Sequence, residues 1–185
     1  MTDRQLVFDI ERPKLLSSNV QPKHFTVKSR LVADLRALAI EAGITEHAPE
    51  TQKLVRKHVE LLLDERAARA EKSRIRKRMK GSPEEEIIEA TKHLDERASF
   101  KRSSALEIPY LYDRVKIQVL VGAPTKRRFD PPNFWPTLKA LTDGLTDCAW
   151  WEDDDFSHIV EIGFGLGPSS DKKNCFRFTV NFEEL

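Results

Sequence analysis

An α+β fold on a mixed β-sheet of about four strands, with packed helices and a charged helical insertion, is the class the sequence predicts. Three observations predict it. Segments alternating apolar and polar residues stand at both ends of the chain, helical spacing fills the middle, and the charges are strongly segregated. Of the 185 residues, 39% are hydrophobic and 33% charged, enough to bury one good core. The expected organisation is therefore a single domain over 1–185, with the insertion at about 45–103.

The first element is a strand, because "QLVFDIE" puts Leu6, Phe8 and Ile10 on one face. A loop should follow, punctuated by Pro13, Ser17, Ser18, Asn19 and Pro22 and carrying Lys14, Lys23, Lys28 and Arg30. From about Ser29, Leu31, Leu35, Leu38 and Ala42 recur at helical spacing, and Gly43 is the expected C-terminal cap. The next stretch is dense in Lys, Arg and Glu and predicts two helices joined near "KGSP". Leu54, Val55, His58, Leu61 and Leu62 make the stripe of the first, and Pro83 with three glutamates opens the second, which carries Ile87, Ile88 and Leu94. The polar run "DERAARAEKSRIRK" lacks the apolar seam of a coiled coil.

A strand then alternates Val115, Ile117, Val119 and Val121 and stops at Gly122 and Pro124. A helix from near Pro136 buries Leu138, Leu141 and Leu145. Two more strands follow, one with Val160, Ile162, Phe164 and Leu166 on a face, the other with Phe176, Phe178, Val180 and Phe182. The intervening "GPSSDKKN" reads as a turn, so these two are expected to form a hairpin.

Charge and cysteine content narrow the function. A net charge of +1 gives no global signature of a polyanion partner, so local basic clusters must carry any such contact. Cys148 and Cys175 belong to no CxxC or Cys/His pattern and read as reduced thiols, neither zinc ligands nor a disulfide. No apolar stretch reaches membrane-spanning length and the first residues lack signal-peptide character, which predicts a cytoplasmic protein. The run "EKSRIRKRMKG", with Arg76, Lys77 and Arg78, is either a solvated helix end or a phosphate-binding patch.

The chemistry concentrates in "RRFDPPNFWPTLKALTDGLTDCAWWEDDD". Three cations, Lys126, Arg127 and Arg128, lead into Asp130, which Pro131 and Pro132 hold in an extended conformation. Asn133 can cap the turn into the helix, on which Lys139 and Asp143 share a face as a possible surface ion pair. The run Asp153, Asp154 and Asp155 repels itself unless it lies in water or around a cation. If the strand after it runs beside the one ending at Val121, that run can approach Asp130 across a cleft and hold magnesium, with Lys139 balancing developing charge and the arginines holding phosphate. Trp150, Trp151, Phe134 and Trp135 are base-stacking candidates better explained for the most part as packing, and His158 is better explained as a hydrogen-bonded strand residue than as a ligand.

The order "KIQVLVGAPTKRRFDPPN", "KALTDGL" and "WEDDDFSHIV", over roughly the C-terminal third of the chain, resembles the RusA family of Holliday junction resolvases, particularly its phage and prophage members. The resemblance implies a homodimeric, magnesium- or manganese-dependent endonuclease that makes paired cuts in four-way DNA junctions during recombination and repair. It implies Asp130 and Asp154 as metal-binding carboxylates, Lys139 as the catalytic cation, and Asp153 or Asp155 as a further ligand. The basic loop and helix near the N-terminus, with Asn19, Lys23, Lys28 and Arg30, is similar in outline to the family's first loop, and together with Lys126, Arg127, Arg128, Asn133, Arg76, Lys77 and Arg78 it supplies the expected DNA contacts. Where the family carries Asp-x-Asp-Asn, this chain has Asp130-Pro131-Pro132-Asn133, so Pro132 replaces the second aspartate. That departure keeps open a branched-DNA-binding homologue that does not cut, and the charged helices keep open a protein-interaction adaptor whose acid turn is merely exposed.

Overall fold

The computed structural model describes residues 4–19, 24–98, 108–125 and 127–185. The chain divides into two compact units, Met1–His47 with Pro109–Leu185, and Ala48–Ile108. The insertion read from the sequence is thus a compact unit of its own.

The first unit holds β1 (Arg4–Glu11), α1 (Phe25–Ile44), β2 (Val115–Gly122), α4 (Trp135–Asp147), β3 (Ile159–Leu166) and β4 (Cys175–Glu184); α2 and α3 belong to the second unit. The four strands make one mixed sheet in the order β1-β4-β2-β3. β4 runs antiparallel to both β1 and β2, whereas β2 and β3 are parallel with α4 between them in sequence. The expected hairpin between β3 and β4 is therefore absent: β2 lies between them. The chain makes that passage at Gly122, where an added Cβ would collide with the Pro168 carbonyl as the connection crosses the end of β2. Gly167 donates its N–H to the Val121 carbonyl there, at 2.9 Å. Asp9 and Arg177, paired across β1 and β4 at 2.9 Å, hold the same connection through Lys172 and Asp171.

One face of the sheet is the core. Register aligns Leu6 and Phe8 with Val180 and Phe178, and these with Val119 and Val121, all buried. Trp150 packs on Phe182 with ring centroids 4.6 Å apart, and Phe134 packs on Phe176 and Phe178. Strand β3 is an edge and its face is only partly covered: Ile162 and Phe164 are half-buried and Leu166 is 70% exposed. Buried aromatic and aliphatic area on the inner strands, rather than on this edge, stabilises the sheet.

Helix α1 starts at Phe25, four residues before the expected start, so Lys28 and Arg30 lie on a helix and not in a loop. Its buried residues are Leu35, Ala39, Ile40, Gly43 and Ile44, and Leu38 faces outward. Gly43 does not cap the helix; it sits in its last turn. A Cβ there would meet Cys148 Sγ at 2.6 Å and Trp150 Nε1 at 2.8 Å, and one on Gly144 would meet the Arg36 carbonyl at 2.5 Å. Two glycines, one on each helix, allow α1 and α4 to approach closely. Arg36 then bridges to α4, donating to Asp147 at 2.7 Å and reaching Asp143 at 3.4 Å.

The second unit is α2 (Pro49–Arg78) and α3 (Glu84–Ala98), which pack on each other. The turn between them passes Gly81 at φ 101°, a conformation glycine adopts without steric cost. Proline opens α2, basic residues close it and three glutamates begin α3, each matching the helix dipole. The buried stripe of α2 is Val55, Val59, Leu62, Glu65 and Ala68, rotated from the expected one so that Leu54 is exposed. Lys72 pairs with Asp95 between the two helices. Among the described residues no helix is long and apolar enough to cross a membrane.

Candidate active site

Helix α4 and the turn that follows it build the site. Thr137 anchors the start of α4, accepting from the Leu16 N–H at 2.9 Å and donating to the Leu16 carbonyl at 2.7 Å. The other end closes with a left-handed residue, Ala149 at φ 62°. The Ala149 N–H bonds the Thr146 carbonyl and the Trp150 N–H bonds the Leu145 carbonyl, the paired bonds of a Schellman motif. Glycine usually fills that position, and here a buried alanine does. The reversal drops Trp150 and Trp151 into the core, where their indole N–H groups bond the Gly43 carbonyl and Thr146 Oγ1. Both tryptophans and Phe134 are thus packing residues, as the composition favours. The chain leaves the core at Glu152 and enters the run of three aspartates.

Each aspartate of the run then has a different task. Asp153 accepts the Asp154 N–H at 2.8 Å, and Asp155 accepts the Ser157 N–H at 2.9 Å, so both serve the turn itself. Bonds from Ser157 hold the Asp155 carboxyl below its ordinary range. Asp154 alone turns toward α4 and pairs with Lys139. Lys139 also donates to Asp143 at 2.7 Å, so one ammonium is shared by two carboxylates, and Arg36 lies behind Asp143. Burial raises the Asp154 carboxyl, but bonds with Lys139 and Asp143 and the lysine charge outweigh it and hold the group below the usual carboxylate range. Burial likewise pushes the Lys139 ammonium down, and the two aspartates outweigh it and raise it above its usual value. Lys139 is therefore a permanent cation at neutral pH. A cavity of about 430 Å³ opens beside this triad, with Trp135, Phe156, Ile162 and Phe164 among its lining residues.

Asp130 belongs to the segment that leads from β2 into α4. It is extended as expected, at φ −113° and ψ 109°, exposed, and absent from the cavity lining. The acidic turn precedes the start of β3 and folds back along α4 as far as Lys139, in the second turn of that helix. The strands β2 and β3 run side by side, as the expected approach of the two acids requires.

Asn133 provides no side-chain cap to the short 3-10 turn over 131–134 or to α4; its carbonyl accepts the Ser18 N–H at 2.8 Å instead. Arg127, Arg128, Asn19, Lys28 and Arg30 are exposed, while Lys23 and Lys126 lie outside the described residues. His158 hydrogen-bonds through Nδ1 to the Asp113 carbonyl at 2.8 Å, the structural role expected for it. Both cysteines are free and buried, and burial with the neighbouring Asp147 charge pushes the Cys148 thiol up, which makes it inert. On α2, Arg76 and Lys77 line a groove with Arg69, Lys72, Ser73 and Lys80, and Arg78 does not line it. Their helical spacing, with 69, 72, 76 and 80 three or four residues apart, is the one signal by which Arg69, Lys72 and Lys80 were legible beforehand.

Among the described residues no three His, Cys, Asp or Glu side chains form a group able to hold a metal. Magnesium usually takes only one or two protein carboxylates, its other ligands being water and phosphate. Asp143 and Asp154 are hard oxygen donors that converge on the Lys139 ammonium, so an ion between them would take the place of the lysine. Compared with known proteins, the sequence matches no family model and no curated protein.

Proposed function

We propose that this chain is a RusA-like, structure-selective DNA endonuclease that cleaves four-way junctions as a homodimer with magnesium or manganese. The observation that carries the reading is the Lys139 ammonium shared by Asp143 and Asp154 in an exposed cleft, at the positions where the sequence resemblance puts a catalytic lysine and an acidic partner. Asp154 would hold the ion together with Asp130, and the ion would supply a water nucleophile and neutralise phosphate charge. Lys139 stabilises charge developing on the phosphate, and its raised pKa keeps it protonated for that role. Arg127, Arg128 and the basic face of α2 bind the backbone without reading sequence. A junction has approximate two-fold symmetry and needs two cuts, which a C2 pair of sites delivers.

The test is incubation of the purified chain with a labelled four-way junction and a matched linear duplex, with and without magnesium, beside Asp154→Asn. Paired, magnesium-dependent nicks in the junction alone, lost in the variant, are expected. Cleavage that Asp154→Asn leaves intact overturns the assignment. A second reading is favoured by one specific observation, proline at 132 where the family carries its second aspartate: a branched-DNA binder that does not cut. Junction binding with no nicking in either metal selects it.

A further inference from the structure

Phe156 is 90% exposed, two residues beyond Asp154, and Trp135 is 43% exposed on the first turn of α4. A single exposed apolar side chain needs no explanation. Here, however, both line the same cavity, whose other walls include Phe164, Lys139 and Asp154. The Trp135 ring and the backbone that carries Phe156 are held in place. The Trp135 indole meets the edge of Phe164 at a centroid distance of 6.3 Å, in a T-shaped arrangement. Phe156 sits inside the turn that Asp155 closes, with the Ser157 N–H on its carboxylate and the Ile159 N–H on its carbonyl at 2.8 Å. The rings are therefore displayed by rigid backbone rather than left over from the core.

We propose that this cleft takes an unstacked nucleobase of the branched substrate between Trp135 and Phe156, which places the adjoining phosphate at Lys139. The inference rests on the endonuclease reading and names the element that would make that site selective for branched DNA. Charge decides the occupant. The cleft wall carries Asp154, Asp155 and Glu161, which repel a phosphate or carboxylate inside it but accept hydrogen bonds from the amino groups of a neutral base. The ammonium of Lys139 supplies the cation for the linked phosphate. Flat aromatic walls accept any base, because every base has a π-face, so the contact discriminates structure and not sequence. A continuous duplex must be unstacked before a base can enter, whereas bases at a branch point lose less stacking on leaving. The volume of about 430 Å³ accommodates one base with its sugar outside.

The experiment uses the full chain and a four-way junction carrying 5-iodouracil at single positions around the branch, with the uncleavable background of Asp154→Asn and irradiation to crosslink a stacked ring. A crosslink mapping to the peptide with Phe156 or Trp135, and a fall in junction affinity of about five- to hundredfold in Phe156→Ala, are expected. Phe156→Leu should fall as far, and Phe156→Tyr should hold the original affinity, because stacking and not apolar volume is at stake. Since Phe156 is almost wholly in solvent, these variants leave the core untouched, and circular dichroism melts verify it. Unchanged affinity in Phe156→Ala, full retention in Phe156→Leu, or an equal loss on linear duplex overturns the inference while junction cleavage by the unmodified chain leaves the function standing. A chain that neither binds nor cuts junctions overturns both.

Discussion

Asp130 and Asp154 carry the same group and could hardly be held more differently. Asp154 projects from a turn whose backbone bonds come from its own neighbours, pairs with Lys139, and through Asp143 and Arg36 is tied to α1. Asp130 is extended by two prolines, exposed and joined to none of those acids. The first is preorganised, its geometry set before any substrate arrives; the second is merely stiff. A stiff backbone fixes where a side chain begins, while a network of bonds fixes where its charge ends. Electrostatic catalysis requires the latter.

The largest expected effect tests that contrast directly. Asp154→Asn and Lys139→Met should each lower junction cleavage by about a hundredfold or more, with junction affinity retained, in a single-turnover assay. Asp130→Asn sharpens the comparison: an equal loss means that DNA and metal bring the two carboxylates together, whereas a loss under about tenfold leaves Asp143 as the second carboxylate. The expected outcome under the proposed ligand pair of Asp130 and Asp154 is the equal loss. Stability should separate the two even so, because Asp130 has no side-chain partner among the described residues: its substitution should shift unfolding by less than about 0.5 kcal/mol.

The platform under Asp154 comes next. Gly144→Val forces a branched side chain against the Arg36 backbone and should cost about 1–3 kcal/mol in urea unfolding, with cleavage falling in parallel as α4 moves. Ala149→Gly works in the opposite direction. It relieves a left-handed non-glycine residue and should stabilise by about 1 kcal/mol without altering cleavage.

The pH dependence of the pair is smaller. Asp154 is held below its ordinary 3.8, so its contribution is complete above that value and is lost as the pH falls through the lower folded value. Lys139 is held above 10.5, so its share is complete below that value and is lost as the pH rises through the higher folded one. The half-exposed pair is worth about 0.2–1 kcal/mol. Thermal melts of the parent chain and Asp154→Asn should differ by that amount at neutral pH and converge in strong acid. The least specific effect belongs to the basic helix: replacing Arg76 and Lys77 by glutamine should reduce the slope of log affinity against log salt by about 2, with junction and duplex affected alike.

Much of this was legible beforehand. The period-2 runs around Phe8, Val119 and Phe178 and the helical stripe through Leu138, Leu141 and Leu145 are local patterns, and each formed the element it encodes. Gly43 misled because a glycine at a helix end has two uses, turning the chain or admitting a neighbour, and the neighbour here, Cys148, is remote in sequence. The acidic run could be seen as unusual but not resolved, since three identical side chains differ only in the partners around them. Phe156 was passed over because nothing nearby distinguishes an exposed phenylalanine from a buried one.

By itself, then, the sequence determined which segments are helix and strand and where the basic run at the end of α2 lies, and it favoured packing for most of the aromatic residues, because periodicity, apolar area and charge act over a few residues. Only the tertiary structure decided that β2 inserts between β3 and β4, that of the three aspartates Asp154 faces Lys139, and that Trp135 and Phe156 share a cleft. Those outcomes depend on which distant strands and helices pack together, and that choice is made by the whole core at once rather than by any stretch within it.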